Sequence, residues 1–219
     1  MDILAHTLWA GAGVIWLARR RPLARRTVAA TIAAAGLPDT FQMLPLLAWW
    51  WFGGGSLEAV RAYALAVPGQ EPVMPALVGL WSHHLHCTAH SAVVAGGVTL
   101  LLWAWRRGFW LPLLGWWSHI LIDVFTHSAD YYASPVLYPF TQRGFDGVPW
   151  NAPWFMALNY LALLAVFAAL WKMSPRRRAI ARPGPSRRTS RHGPRTCGQP
   201  GCGHAGVEAD STQHGKMKK

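Results

Sequence analysis

The sequence predicts an all-α protein: a polytopic membrane bundle of about five transmembrane helices over residues 1–172, followed by a disordered basic tail over residues 173–219. Three observations predict it. Of the 219 residues, 52% are hydrophobic and only 14% are charged, against roughly 25% charged in an ordinary soluble domain. The apolar residues fall in blocks, and the blocks end at residue 172. The basic residues and the 14 Trp gather at block ends, as positive-inside clusters and aromatic belts do.

The blocks are, in order, residues 3–18, 27–51, 76–105, 109–126 and 154–171. The first is short for a span. The second holds the run Leu37-Pro38-Asp39, where the proline is expected to break the helix, and ends at Gly53-Gly54-Gly55-Ser56. The third is too long for one span, so its early part is expected to lie outside the bilayer. Pro68, Pro72 and Pro75 punctuate the loop before it. Pro135, Pro139, Pro149 and Pro153 mark the long loop before the last block. No internal repeat is visible.

Three basic clusters follow the first, third and fifth blocks: Arg19–Arg26, Arg106-Arg107, and Lys172 with Arg176–Arg178. Five spans put all three on one side, which the positive-inside rule makes cytoplasmic. The expected protein is therefore a multi-pass inner-membrane protein with its amino terminus outside and its carboxyl terminus in the cytoplasm. Trp103, Trp105, Trp110 and Trp171 then sit at the inner boundary, and Trp49, Trp50, Trp51, Trp81, Trp150 and Trp154 at the outer one. Much of the net charge of +12 belongs to the tail: residues 173–219 hold 11 Lys/Arg against 2 Asp/Glu, residues 1–172 hold 10 against 7. A specific nucleic-acid partner is therefore not expected; the bilayer is, with the tail reaching anionic lipid headgroups. Cys197, Cys202 and His204 lack a fourth zinc ligand, and Cys87 stands alone, so no disulfide framework is expected.

Ionisable residues inside apolar blocks carry the functional reading, because such groups are costly in a membrane. His119, Asp123 and His127 lie four residues apart, which stacks them on one stripe of a helix. His83, His86 and His90 share another helical face, and His84 points away from it. At about 1.5 Å per residue, His6, Asp39, His90, His119 and Asp123 each lie roughly 18–24 Å from the inner basic clusters. Separate helices thus bring imidazoles and carboxylates to one level in the outer half of the bilayer. These are the ligands that zinc and similar ions prefer. Asp2 is a candidate to orient His6, or else a solvated residue at the chain start. Thr88, Ser91 and Thr126 are candidates to hydrogen-bond into the site, and Asp130, Arg143 and Asp146 are expected as loop charges.

Several of these residues stand in motifs that resemble the membrane-bound, metal-dependent hydrolase family, whose members are described as LexA-binding and inner-membrane-associated. Met1 to His6 resembles its opening M-x-x-x-x-H, and Gly36 to Asp39 its G-x-L-P-D turn. Thr88-Ala89-His90-Ser91 is similar to its T-H-S element. Gly115 to Thr126 is similar to its G-x-x-S-H-x-x-x-D-x-x-T, the most specific of the set, and Leu137 to Phe140 to its L-x-P-F. The order is kept over about residues 1–170. The chain departs from the pattern at Ala89, at His86 where the family has arginine, and at Thr40-Phe41 where an acidic residue usually follows. The family in turn resembles zinc-dependent phospholipase C, which implies a phosphoester substrate.

The expected function is metal-assisted hydrolysis of a phosphoester or lipid-linked substrate. His6, Asp39, His90, His119 and Asp123 are the expected ligands of one or more divalent ions, zinc first among them. His86 and His127 are the expected further ligands or general acid/base groups, since imidazole titrates near neutral pH. Two other classes use the same residues: an ion, proton or metal transporter, and a non-catalytic protein whose helices a metal staples together.

Overall fold

Seven α-helices and no β-strand form the described part of the chain, residues 1–173 of a computed structural model. The tail assigned above to disorder, with Cys197, Cys202 and His204, lies outside the described residues. The helices are α1 (Ile3–Ala18), α2 (Arg25–Phe52), α3 (Leu57–Leu65), α4 (Ala76–Ala89), α5 (Ala92–Arg106), α6 (Leu113–Thr126) and α7 (Pro153–Lys172). The all-α class therefore holds. One of these helices, α7, is long and apolar enough by itself to cross a membrane, and the bent pair α4–α5 is a second if counted as one span. α1 and α6 are apolar but shorter.

Local chemistry explains the ends. Asp2, in extended backbone, caps α1 by accepting the Ala5 N–H at 2.9 Å. Ser91 caps α5 by accepting from Val94 N–H at 3.1 Å, and its hydroxyl donates to the Tyr138 carbonyl at 2.6 Å. The long third block is therefore two helices, which meet at 61° across His90-Ser91. Pro153 opens α7, where a missing N–H costs nothing.

α2 corrects one expectation. The helix does not break at Pro38; it runs 28 residues through Pro38 and Pro45. Asp39 is consequently a mid-helix residue, not a cap. Pro38 still leaves its mark, because it offers no N–H to the carbonyl four residues earlier and crowds that turn. Thr40 turns its hydroxyl back onto the Gly36 carbonyl at 2.8 Å in the same turn.

α2 is the central element and packs on α1, α4 and α6, with α7 joined through α1. Small residues make these contacts possible. A Cβ at Gly115 of α6 would overlap the Thr31 carbonyl oxygen of α2, and one at Gly36 would press to 3.1 Å from Thr7 of α1. Ala is the commonest of the buried apolar residues: Ala5, Ala10, Ala12, Ala35, Ala89 and Ala95. Large apolar side chains point outward instead, among them Trp105 (76% exposed), Leu101 (71%) and Leu164 (68%). His6, His90, His119 and Asp123 are wholly buried. The molecule is polar in its middle and apolar on its surface.

Candidate metal centre

Three helices deliver the central cluster. Asp39 comes from the middle of α2, His90 from the residue that ends α4, and His119 and Asp123 from one stripe of α6. One ligand atom from each of these four lies within 4.8 Å of all the others, a group that could hold a metal ion.

The two imidazoles fix the chemistry. His119 Nδ1 is 2.7 Å from the Ala35 carbonyl, beside Pro38, and His90 Nδ1 is 2.8 Å from the His86 carbonyl. A carbonyl only accepts, so each Nδ1 carries a proton, and in a neutral ring Nε2 then offers its lone pair to a cation. Those two Nε2 atoms face each other at 3.0 Å. Asp123 Oδ2 stands 3.0 Å from one and 3.3 Å from the other. Asp39 Oδ1 stands 3.7 and 3.4 Å from the same pair. Asp123 Oδ2 and Asp39 Oδ2 make no hydrogen bond although both are buried. Four potential electron-pair donors thus converge on one point.

A divalent cation fits this set. Ligand bonds of about 2.0–2.2 Å at tetrahedral angles separate neighbouring donor atoms by roughly 3.3 Å. The carbonyls behind both imidazoles act as the outer partners that ligating histidines usually have.

Asp123 faces a second group with its other oxygen. His6 Nε2 approaches Oδ1 at 2.9 Å, the Met1 amino nitrogen at 2.6 Å and the Thr126 hydroxyl at 3.4 Å. The His6 ring stacks on His119 with centroids 3.8 Å apart. His6 therefore joins the cluster through Asp123 and not among the four convergent ligands. His127 is also nearby, its Nε2 lying 3.3 Å from the Met1 nitrogen and 4.0 Å from Asp123 Oδ1. It does not continue the helical stripe expected of it: α6 ends at Thr126, and His127 returns from extended backbone. The His86 ring lies tilted against that of His90 with centroids 4.1 Å apart. Its Nδ1, like that of His127, has no hydrogen-bond partner.

Other candidates fall elsewhere. Asp2 does not orient His6; its Oδ1 accepts from Ala5 N–H and from the Tyr160 hydroxyl at 2.9 Å, and His6 Nδ1 has no hydrogen-bond partner. His83 turns to Cys87 at 3.6 Å and His84 to the Tyr138 hydroxyl at 3.2 Å. Thr88 is exposed, and Ser91 serves as a cap. Asp146 accepts the Ala129 N–H at 2.8 Å and holds the outer loop, while Arg143 is exposed. Sequence reasoning missed the Met1 nitrogen and the carbonyls of Ala35 and His86. Pro38 was a signal for the first carbonyl, because a proline disturbs helical carbonyls in the preceding turn; the Met1 nitrogen had no signal of its own.

No protein-family model, no curated protein and no solved structure matches this chain.

Proposed function

We propose that this chain is a membrane-bound, metal-dependent hydrolase that acts on a phosphoester or lipid-linked substrate in the outer half of the bilayer. The observation that carries the reading is the pair of imidazoles, each held at Nδ1 by a carbonyl, whose Nε2 atoms face each other at 3.0 Å between two carboxylates. With both rings neutral that arrangement is repulsive, and a bound cation relieves it. Asp39, His90, His119 and Asp123 are the ligands in this reading, with His6 held against the second Asp123 oxygen. Zinc is the ion that best suits two imidazoles and two carboxylates at these spacings.

When bound, such an ion supplies Lewis-acid polarisation of a phosphoryl oxygen and a water of lowered pKa. The chain's own residues do the rest. The Ala35 and His86 carbonyls hold His119 and His90 in one tautomer and one orientation. Pro38, through the turn it crowds, keeps α2 shaped to present both Ala35 O and Asp39. His86 and His127, each with an unpartnered buried Nδ1, are the candidates to move a proton at the attacking water or the leaving oxygen. Asp39 is the ligand with an opening, its side chain 13% exposed while the others are closed, so substrate reaches the cluster on that side or past Met1.

The membrane part of the reading rests on the inverted distribution of side chains. Large apolar residues cover the outside and small residues line the helix contacts, the pattern of helices packed in lipid. The basic clusters then give an inner-membrane protein with its carboxyl terminus in the cytoplasm.

The test is elemental analysis of detergent-purified protein, wild type against His119→Ala, followed by hydrolysis of a generic phosphodiester. Stoichiometric zinc in the wild type, lost with His119, and metal-dependent turnover are expected. Metal without turnover returns the protein to a stapled, non-catalytic bundle; metal flux into proteoliposomes returns it to a transporter.

A further inference from the structure

An open groove with a cavity volume of about 730 Å³ runs between α6 and α7 and ends beside the cluster. Leu121 and Phe125 of α6 form one wall, and Leu158 and Ala162 of α7 the other. At its inner end sit Met1 and Thr126, both within reach of Asp123 Oδ1. The lining is almost wholly apolar, and its polar side chains are few: Ser118, Thr126 and Asn159. Ser118 donates to the Gly115 carbonyl at 2.7 Å. Asn159 differs. Its Oδ1 accepts the Trp9 indole N–H at 2.9 Å, but its Nδ2 has no hydrogen-bond partner although the residue is 7% exposed. A buried amide donor left unpaired is costly, and Asn159 is one of the residues that line the groove.

We propose that this groove receives the hydrocarbon chain of an ester-linked phospholipid-type substrate, its phosphoester group at the His/Asp cluster and its ester carbonyl on Asn159 Nδ2. The proposal rests on the hydrolase reading for the headgroup alone. Three features select this occupant. The groove joins a polar cluster at one end to an apolar slot, which matches an amphiphile with a charged head and a greasy tail. The slot lies between two helices, so a single flexible chain fits where a protein segment, with its backbone polar groups, would leave donors unpaired in an apolar channel. One wall is α7, the helix that meets the length and apolarity of a membrane span by itself, so in a bilayer the groove opens sideways onto lipid.

The experiment uses the full chain in nanodiscs and a non-hydrolysable alkyl phosphonate carrying a mid-chain diazirine and one ester linkage. Photolabel is expected on α6 and α7 around Leu121, Phe125 and Leu158. Ala162→Trp, which fills the slot, is expected to lower that labelling about tenfold with metal content unchanged; Leu158→Trp serves as a second filling variant. The ester probe is expected to outcompete its ether analogue roughly fivefold through the Asn159 hydrogen bond. In parallel, kcat/KM for soluble phosphodiesters is expected to rise roughly fourfold per added methylene while the chain is short. Label spread evenly over the outward faces, or labelling indifferent to both tryptophans, overturns the groove. Turnover independent of chain length overturns it too and leaves the hydrolase standing. Label in the groove of a protein that cleaves nothing supports the chain site and overturns the hydrolase.

Discussion

His119 sits in the cluster with its ring fixed from both sides: Nδ1 donates to Ala35 O, and Nε2 looks at His90 Nε2. Opposed Nε2 atoms between two carboxylates say more about a cation site than a count of histidines does, because both Nδ1 atoms are committed to carbonyls and turn Nε2 toward the cluster. Asp123 is the residue most deeply tied in, touching His6, His90, His119 and the Met1 amino group. Asp123→Asn is therefore predicted to cost about 3–5 kcal/mol of stability as well as the metal, since it leaves buried partners unpaired. Thermal unfolding with and without chelator checks it. Asp39→Asn separates the two effects. Its side chain makes only long contacts, at 3.4 and 3.7 Å, so the variant is expected to fold normally and lose metal affinity at least tenfold, measured by competition with a chromogenic chelator.

At the scale of elements, the cluster depends on how closely α2 and α6 approach. Gly115 permits that approach, because any Cβ there meets the Thr31 carbonyl. Gly115→Ala is predicted to push the helices apart, to cost about 1–3 kcal/mol as overpacking does, and to weaken metal binding along with it. Calorimetry and metal titration of the same preparation check both. A second element-level tie is on the outer side, where the Tyr132 hydroxyl donates to Glu71 Oε1 at 2.6 Å and joins the loop before α4 to the loop after α6. That hydrogen bond holds the Glu71 carboxyl below its ordinary value. A lowered folded-state value means the stabilisation is full above the unfolded pKa and fades as pH falls through the folded one. Hydrogen exchange in the 128–150 loop is therefore expected to quicken below about pH 4.3, the ordinary Glu value, and Tyr132→Phe is expected to quicken it at neutral pH and abolish the dependence.

At the scale of the whole molecule, the arrangement is inside-out relative to a soluble bundle. Among the described residues, Ala and Gly stand at many contacts, imidazoles and carboxylates are buried, and many Leu, Phe and Trp side chains are exposed. In water so much exposed apolar surface would drive aggregation; in lipid it is the solvated face. Two predictions follow from that inversion. The protein is expected to resist alkaline carbonate extraction from membranes. Leu164→Arg, on the outward face of α7, is expected to cost about 2.5–3.5 kcal/mol of insertion, read as lost insertion of α7 in a glycosylation-mapping assay; an unchanged yield would count against α7 lying in lipid.

The sequence by itself determined that the described residues are helical and which ionisable groups lie within their apolar blocks. Apolar blocks bounded by Gly, Pro and basic residues mark helices through local physics, and an ionisable group in such a block is conspicuous wherever the block finally packs. Spacing also put His119 and Asp123 on one stripe, since four residues on a helix is a local fact. The tertiary structure decided what spacing leaves undetermined. It ran α2 through Pro38, with His119 of α6 donating to the Ala35 carbonyl in the turn the proline crowds. It broke the third block at His90-Ser91, because a serine cap and the Tyr138 carbonyl outweigh apolar continuity there. It separated His6 from the four convergent ligands and swung His127 in from beyond the helix end. Which imidazole nitrogen faces which carbonyl is fixed by contacts between residues such as Ala35 and His119, which lie far apart along the chain and meet only when the helices pack.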